Sequence, residues 1–238
     1  VKALRFSIDP SVFELFPEVG LGVVQARHVD NSRDDPEVVE ILRRAERDLP
    51  RIFGEGPVAD HPRVSVWREA YRKFGAKPKA TPSSVENLVR RVLGGELLRP
   101  VNNLVSLYNA VSLTHLLPVG GEDRDRLSGD VRLTRAGPAE PPVILLGEKD
   151  PRSPHEGEVI YTDDIGALCR RWNWKEADRT KLTPETKNVI LVIESLPPLP
   201  PDALPKAADD LAALVERHLG GTVSTLLLHR GNPEGILR

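Results

Sequence analysis

Apolar residues recur along this chain with two different periods, and the switches between them mark the elements. Residues 1–9 alternate and predict a strand. Residues 20–29 carry apolar side chains on both faces of the pleat, the pattern of a buried strand. Pro10 and Pro17 bracket the short connection between them, which holds Phe13 and Phe16. A three- and four-residue spacing begins at Asp35, with Pro36 at the first helical position. Val38, Val39, Ile41 and Leu42 form its inner side, and Glu37, Glu40, Arg43, Arg44, Glu46 and Arg47 a solvated outer face. A Gly- and Pro-bearing loop over 50–62 includes His61, read as an exposed loop histidine. A helix over 61–75 follows, with Val66, Ala70, Tyr71 and Phe74 on one side. Another runs over 85–93, capped by Ser83 or Ser84, with Glu86 or Asn87 as capping-box partner, and stopped by Gly94-Gly95.

The segment from Pro100 to Asp123 organises the rest. Asn103 is expected to cap a helix carrying Leu104, Val105, Leu107, Tyr108, Val111, Leu113 and Leu116. Pro118-Val119-Gly120-Gly121-Glu122-Asp123 is expected to stop that helix and turn the chain. Asn109 is a polar amide inside the helix: either an exposed side chain, or a positioning group facing the glycine turn. Downstream, 129–136 and 142–146 read as a hairpin, and 158–162 and 165–169 flank a structural Asp163-Asp164 turn. Cys169 has no basic partner nearby and reads as a small buried apolar residue. Trp172 and Trp174 pack, or shape a pocket wall, or stack on a base. Residues 188–193 form a buried strand ending in Glu194, which is either ion-paired or a site residue. A proline-rich connector, a helix over 202–219 and a strand over 222–229 close the chain, with the first two strands and the last expected in one sheet.

Composition narrows the class. The 238 residues are 39% hydrophobic and 29% charged, as in a soluble globular chain, with aromatics at only 5%. No apolar run is long enough for a membrane span, and the amino-terminal stretch lacks a signal-peptide pattern. One cysteine rules out an internal disulfide framework and fits a reducing cytoplasm, the expected location. The 22 prolines are compatible with heat adaptation. A net charge of −2 means that a nucleic-acid partner needs a local basic face. Arg68, Arg72, Lys73, Lys77, Lys79, Arg90 and Arg91 concentrate charge in one region, as solubilising charge or as a phosphate-contacting face. No zinc-type ligand spacing is present and Gly20-Leu21-Gly22 is no dinucleotide fingerprint, so neither metal nor cofactor is expected.

Several motifs together carry a resemblance. Arg72-Lys73-Phe74-Gly75, Lys77-Pro78-Lys79, Ser83-Ser84-Val85-Glu86, Pro118 to Asp123, Trp172-Asn173-Trp174 and Asp178-Arg179-Thr180 stand in order over 67–198. This stretch resembles the B3/B4 domain of the phenylalanyl-tRNA synthetase beta subunit, and more closely the freestanding B3/B4 proteins. The resemblance implies an α+β fold with a mixed or antiparallel sheet flanked by helices. It implies one domain over 1–238: N-terminal strands and helix over 1–66, the B3/B4 core over 67–198, and a helix and strand over 199–238 completing the sheet.

In that family the domain hydrolyses a wrongly attached amino acid from tRNA. The resemblance therefore implies tRNA or aminoacyl-tRNA as partner, with no DNA and no membrane, and hydrolysis in trans. Asn109 falls on the family's site asparagine, Tyr108 on the preceding threonine, and Gly120 on the editing histidine, so the imidazole is missing. Glu194 lies near the substrate-reading glutamate, and 170–173 replaces a glycine-rich pocket wall with large and charged residues. The catalytic set on this reading is Asn109, Gly120 and Gly121. Tyr108, Glu122, Arg171, Asn173 and Glu194 bind substrate, and Arg72, Lys73, Lys77, Lys79, Arg90 and Arg91 hold RNA. A non-catalytic tRNA- or RNA-binding module and a pocket for free amino-acid-like molecules are the alternatives. Neither a synthetase core nor ATP motifs are present, so amino-acid activation is not expected.

Overall fold

The computed structural model describes residues 3–238; Val1 and Lys2, part of the expected first strand, lie outside the described residues. That strand, β1 (Leu4–Ile8), is followed by a short helix α1 (Pro10–Leu15), which buries Phe13 where sequence predicted only a connection. Then come β2 (Gly20–Arg27), α2 (Pro36–Phe53), α3 (Pro62–Lys73), α4 (Ser84–Leu93), α5 (Asn103–His115) and β3 (Val119–Asp123). β4 (Val131–Arg135), β5 (Val159–Thr162), β6 (Cys169–Arg170), β7 (Lys175–Glu176) and β8 (Asn188–Ser195) follow, then α6 (Ala203–Leu219), β9 (Thr222–Leu228) and β10 (Glu234–Leu237). The fold is mixed α+β.

There are two main sheets. One, ordered β10-β1-β4-β5, contains a parallel β1–β4 pair; the other, ordered β3-β8-β2-β9, is antiparallel throughout. The expectation that β1, β2 and the last helix-following strand share a sheet is wrong. β1 buries one face only and pairs with β4 and β10, whereas β2 lies between β8 and β9. The period of two explains the layers. Leu21 and Val23 of β2, with Ile190 and Val192 of β8, pack toward Phe6, Leu133 and Tyr161 of the other sheet. Val24 and Ala26, with Val189, Leu191 and Ile193, pack on the opposite side against Leu107 and Val111 of α5 and Leu211 and Val215 of α6. Glu194 and the β3 residues Gly120 and Glu122 lie on the first face, since Gly120 pairs with Val192 and Glu122 with Ile190.

Several local expectations are corrected. Asn102, not Asn103, caps α5, accepting from the Val105 amide at 3.0 Å, while the buried Asn103 donates to the Arg33 carbonyl. Glu46 is not on a solvated face: it is buried, and it accepts from Arg43 and from the Leu98 amide. Glu86 does not close a capping box but bridges Arg68 and Arg90. His61 caps α3 and stacks on Phe53. The 142–146 segment makes only single-residue bridges, Val143 to Arg152 and Leu145 to Ala177.

The largest correction concerns Gly120 and Gly121. They are no turn; they lie extended in β3, at the edge of its sheet. Glycine is required there by close approach. A Cβ at Gly121 would stand 2.5 Å from Leu191 Cδ2 and 3.3 Å from the Ile190 carbonyl oxygen. Leu191 is fully buried and cannot swing out. Gly121→Ala is therefore expected to lower the unfolding free energy by about 1–3 kcal/mol in urea denaturation, as overpacking does; an unchanged midpoint would show that β3 yields freely.

Candidate functional site

A cavity of about 340 Å³ opens between the β3 edge, α5 and the other sheet. Phe6, Leu127, Val131 and Leu168 make much of it apolar. α5 contributes Tyr108 and Asn109, β3 contributes Gly120, Gly121 and Glu122, and β8 contributes Glu194. The loop joining β6 to β7 adds Trp172, Asn173 and Trp174, and β7 adds Glu176. Asn109 and the glycine pair thus line one hollow, although they meet across a strand and not a turn.

Two left-handed residues, Arg171 and Trp172, with φ of 51° and 64°, bend the chain so that Asn173 returns to the cavity. The bend is held from below. Glu158 accepts from the Arg170 guanidinium at 2.7 and 2.8 Å and from the Arg171 amide at 2.6 Å. The Trp172 indole is buried, edge-on to Trp67 at 5.1 Å and tilted on Phe16 at 4.9 Å, so it packs and forms a wall at once. Trp174 also lines the cavity, under the Arg171 guanidinium 4.8 Å from its ring. Arg171 itself stays outside the lining, unlike the rest of its expected substrate set.

A chain of hydrogen bonds fixes the inner wall. The Tyr71 hydroxyl donates to Asn173 Oδ1 at 2.8 Å, the Asn173 amide donates to Glu194 Oε2, and the Tyr161 hydroxyl donates to Glu194 Oε1 at 2.7 Å. Glu194 therefore sits in a neutral network and has no cationic partner among the described residues. Burial pushes its pKa up to about 7, against the opposing effect of the Tyr161 and Asn173 hydrogen bonds. Cys169 is buried, its thiol donating to the Trp172 carbonyl and held well above its usual pKa by burial, which fits the packing role expected of it.

Glu122 and Glu176 form a second acidic feature. Burial raises the pKa of Glu176 to about 7, although Gly121 N–H donates to its Oε1 at 3.2 Å. Burial first, and then the neighbouring Glu176, hold Glu122 well above the carboxylate range, and its Oε2 is buried without a hydrogen-bond partner. None of Glu122, Glu176 and Glu194 forms an ion pair among the described residues, although most buried acids elsewhere, such as Glu46, Glu86, Glu158 and Asp163, do. Arg91, Arg99 and Lys175 also line the cavity toward solvent; Arg91 is paired with Glu96 and Lys175 with Glu148. The hollow is acidic within and basic toward solvent.

Of the expected RNA-binding residues, Arg72, Lys73, Lys77 and Lys79 are exposed and make no ion pair among the described residues. Arg90 is tied to Glu86 and Arg91 to Glu96. Among the described residues no group of three or more His, Cys, Asp or Glu could hold a metal ion, and no helix is long and apolar enough to cross a membrane. The sequence reading missed Glu176, which stands in a two-residue polar strand with no periodicity to mark it, and Tyr161, which reads as core.

Fold and site together define an α+β protein with a largely apolar cavity onto which a few polar side chains converge. Residues 66–220 match the B3/4 domain model, and the chain belongs to that family. A crystal structure of an N-terminal fragment of the phenylalanyl-tRNA synthetase beta-subunit from Pyrococcus horikoshii is similar over 93% of this chain at 10% identity, with a TM-score of 0.48. This chain spans 53% of the length of that fragment. No curated protein sequence matches the chain.

Proposed function

We propose that the cavity receives the aminoacyl end of a charged tRNA and that the protein hydrolyses the ester in trans, removing a wrongly attached amino acid. The observation that carries this reading is the convergence of Asn109, Gly120, Glu122 and Glu194 on one cavity of about 340 Å³, a volume suited to a single aminoacyl group. Membership of the B3/4 family supports a tRNA-related role. An aminoacyl ester is already activated, so holding water and carbonyl in line supplies much of the acceleration. Asn109 orients the ester or the attacking water from a rigid helix. Glu194 or Glu122 meets the amino group or a polar side-chain atom of the substrate. Arg72, Lys77 and Lys79, exposed and without an ion pair among the described residues, and Lys73, whose ammonium lies 5.5 Å from the Phe16 ring, are the surface available for phosphates.

Asn109→Ala is expected to slow release of the amino acid from mischarged tRNA by at least about tenfold, the loss of one orienting hydrogen bond. Single-turnover deacylation with the tRNA that the parent protein discharges fastest measures it. An unchanged rate would remove Asn109 from the reaction.

A further inference from the structure

Glu176 occupies an unusual position. It reaches from β7 across the open edge of β3, where its Oε1 takes the outward Gly121 N–H at 3.2 Å. The same oxygen lies 2.7 Å from where a Cβ on Gly120 would stand. A side chain at position 120 would therefore displace this carboxylate, which occupies the space that the glycine leaves. Leu191 and the Ile190 carbonyl crowd Gly121 on one face, while on the other Gly120 leaves room for Glu176. The Gly121 amide is thereby committed to a carboxylate.

We propose that the Glu176 carboxylate is the general base of this site, drawing the proton from the water that attacks the ester carbonyl. The proposal rests on the deacylation reading above. The water oxygen forms the new C–O bond as its proton passes to Glu176. Collapse of the tetrahedral intermediate breaks the bond to the ribose oxygen, and that oxygen takes the proton back from Glu176. One water is consumed, a free amino acid and an uncharged tRNA leave, and the carboxylate is regenerated.

The surroundings suit the task. Glu122 of β3, Tyr108 of α5 and Glu194 of β8 are the titratable groups whose charge acts with that of Glu176, and Lys175 beside it is committed to Glu148. Among the described residues Glu176 makes no ion pair, so its proton affinity is raised by burial, against the opposing effect of the Gly121 amide. It titrates at about 7, where a base is half ionised at neutral pH. The Gly121 amide fixes which Glu176 oxygen is held and leaves the other to accept from water.

The test uses tRNAs charged with each standard amino acid, and follows kcat, KM and the pH profile on the one the parent discharges fastest. A tRNA carrying the same amino acid through a non-hydrolysable amide link reports binding. Glu176→Gln is expected to lower kcat at least about 100-fold, within the usual range for a lost general base. Affinity for the amide-linked tRNA should stay unchanged. In the parent, kcat should rise with pH and level off above about 7, and this limb should vanish in E176Q. Gly120→Ala, which displaces the carboxylate, should give a similar loss, and the double variant should be no slower than E176Q. Retention of the rate and of the limb in E176Q overturns the assignment and leaves the deacylation reading standing. A parent protein that discharges no tRNA overturns both.

Discussion

Replacing Arg170 with alanine is expected to lower the unfolding free energy by about 3–5 kcal/mol, the loss that follows when one partner of a buried ion pair is removed. Arg170 and Glu158 are each 3% exposed, and their two-point contact joins β6 to the start of β5. Burial alone would raise the pKa of Glu158, but the Arg170 guanidinium and the Arg171 and His155 amides outweigh it and hold the carboxyl below its usual range. Without Arg170 the carboxylate keeps only those two amides, at 2.6 and 3.3 Å. The consequence reaches the site, because Arg171 and Trp172 take their left-handed turn directly above this pair. Denaturant unfolding of Arg170→Ala should be compared with that of the double variant Arg170→Met, Glu158→Leu. The double should lose less than the single, since it leaves no charge stranded. A loss under about 1 kcal/mol for Arg170→Ala would mean that water reaches Glu158 and that the pair does not anchor the bend.

Glu194→Gln is expected to change how stability responds to pH. The folded-state pKa of Glu194 is about 7, against an ordinary value of 4.5. The unfolded chain therefore releases this proton first as pH rises. In the parent, this group makes no difference below about pH 4.5, erodes stability progressively between 4.5 and 7, and leaves a constant deficit above. The full deficit is roughly 3 kcal/mol, from about 1.4 kcal/mol per pH unit across that window. Glutamine does not titrate, so the stability of Glu194→Gln relative to the parent should improve by roughly that amount between pH 4.5 and 8. The comparison subtracts whatever the amide changes in the network with Tyr161 and Asn173 at all pH values. A difference that stays flat with pH would show that Glu194 ionises normally in the folded protein and that the inner wall is wet.

Elements with strong periodicity were legible in the sequence. The two-sided apolar pattern of β2 and β8 marked them as buried strands, and both lie between layers of packed side chains. Asp35 before Pro36 marked the start of α2, and its carboxylate does accept from the Glu37 and Val38 amides. The connection of α5 to β3 was less legible. A Pro-Val-Gly-Gly run reads locally as a turn, and only the packing of Leu191 and Glu176 against it explains glycine in a strand. Long-range charge pairing was not legible either. Glu46 follows the spacing of an exposed helix position and Glu86 that of a capping-box partner, yet the Leu98 amide and the Arg68 guanidinium reach them from elsewhere in the chain. In the site, Asn109, Gly120, Glu122, Asn173 and Glu194 could be named from the chain, because a resemblance placed them. Glu176 could not be, because its role depends on the gap left by a glycine more than fifty residues away.

The central claim is that this cavity hydrolyses an aminoacyl ester, and a discharge assay on the parent protein tests it most directly. Transfer RNAs charged with each standard amino acid, correctly and incorrectly, would be incubated with the protein, and release of amino acid followed alongside retention of the tRNA. Accelerated release from at least one mischarged tRNA, with its correctly charged counterpart left intact, is the predicted result. Retention of tRNA with every ester bond surviving at its spontaneous rate would contradict it, and would make the cavity a binding site without chemistry.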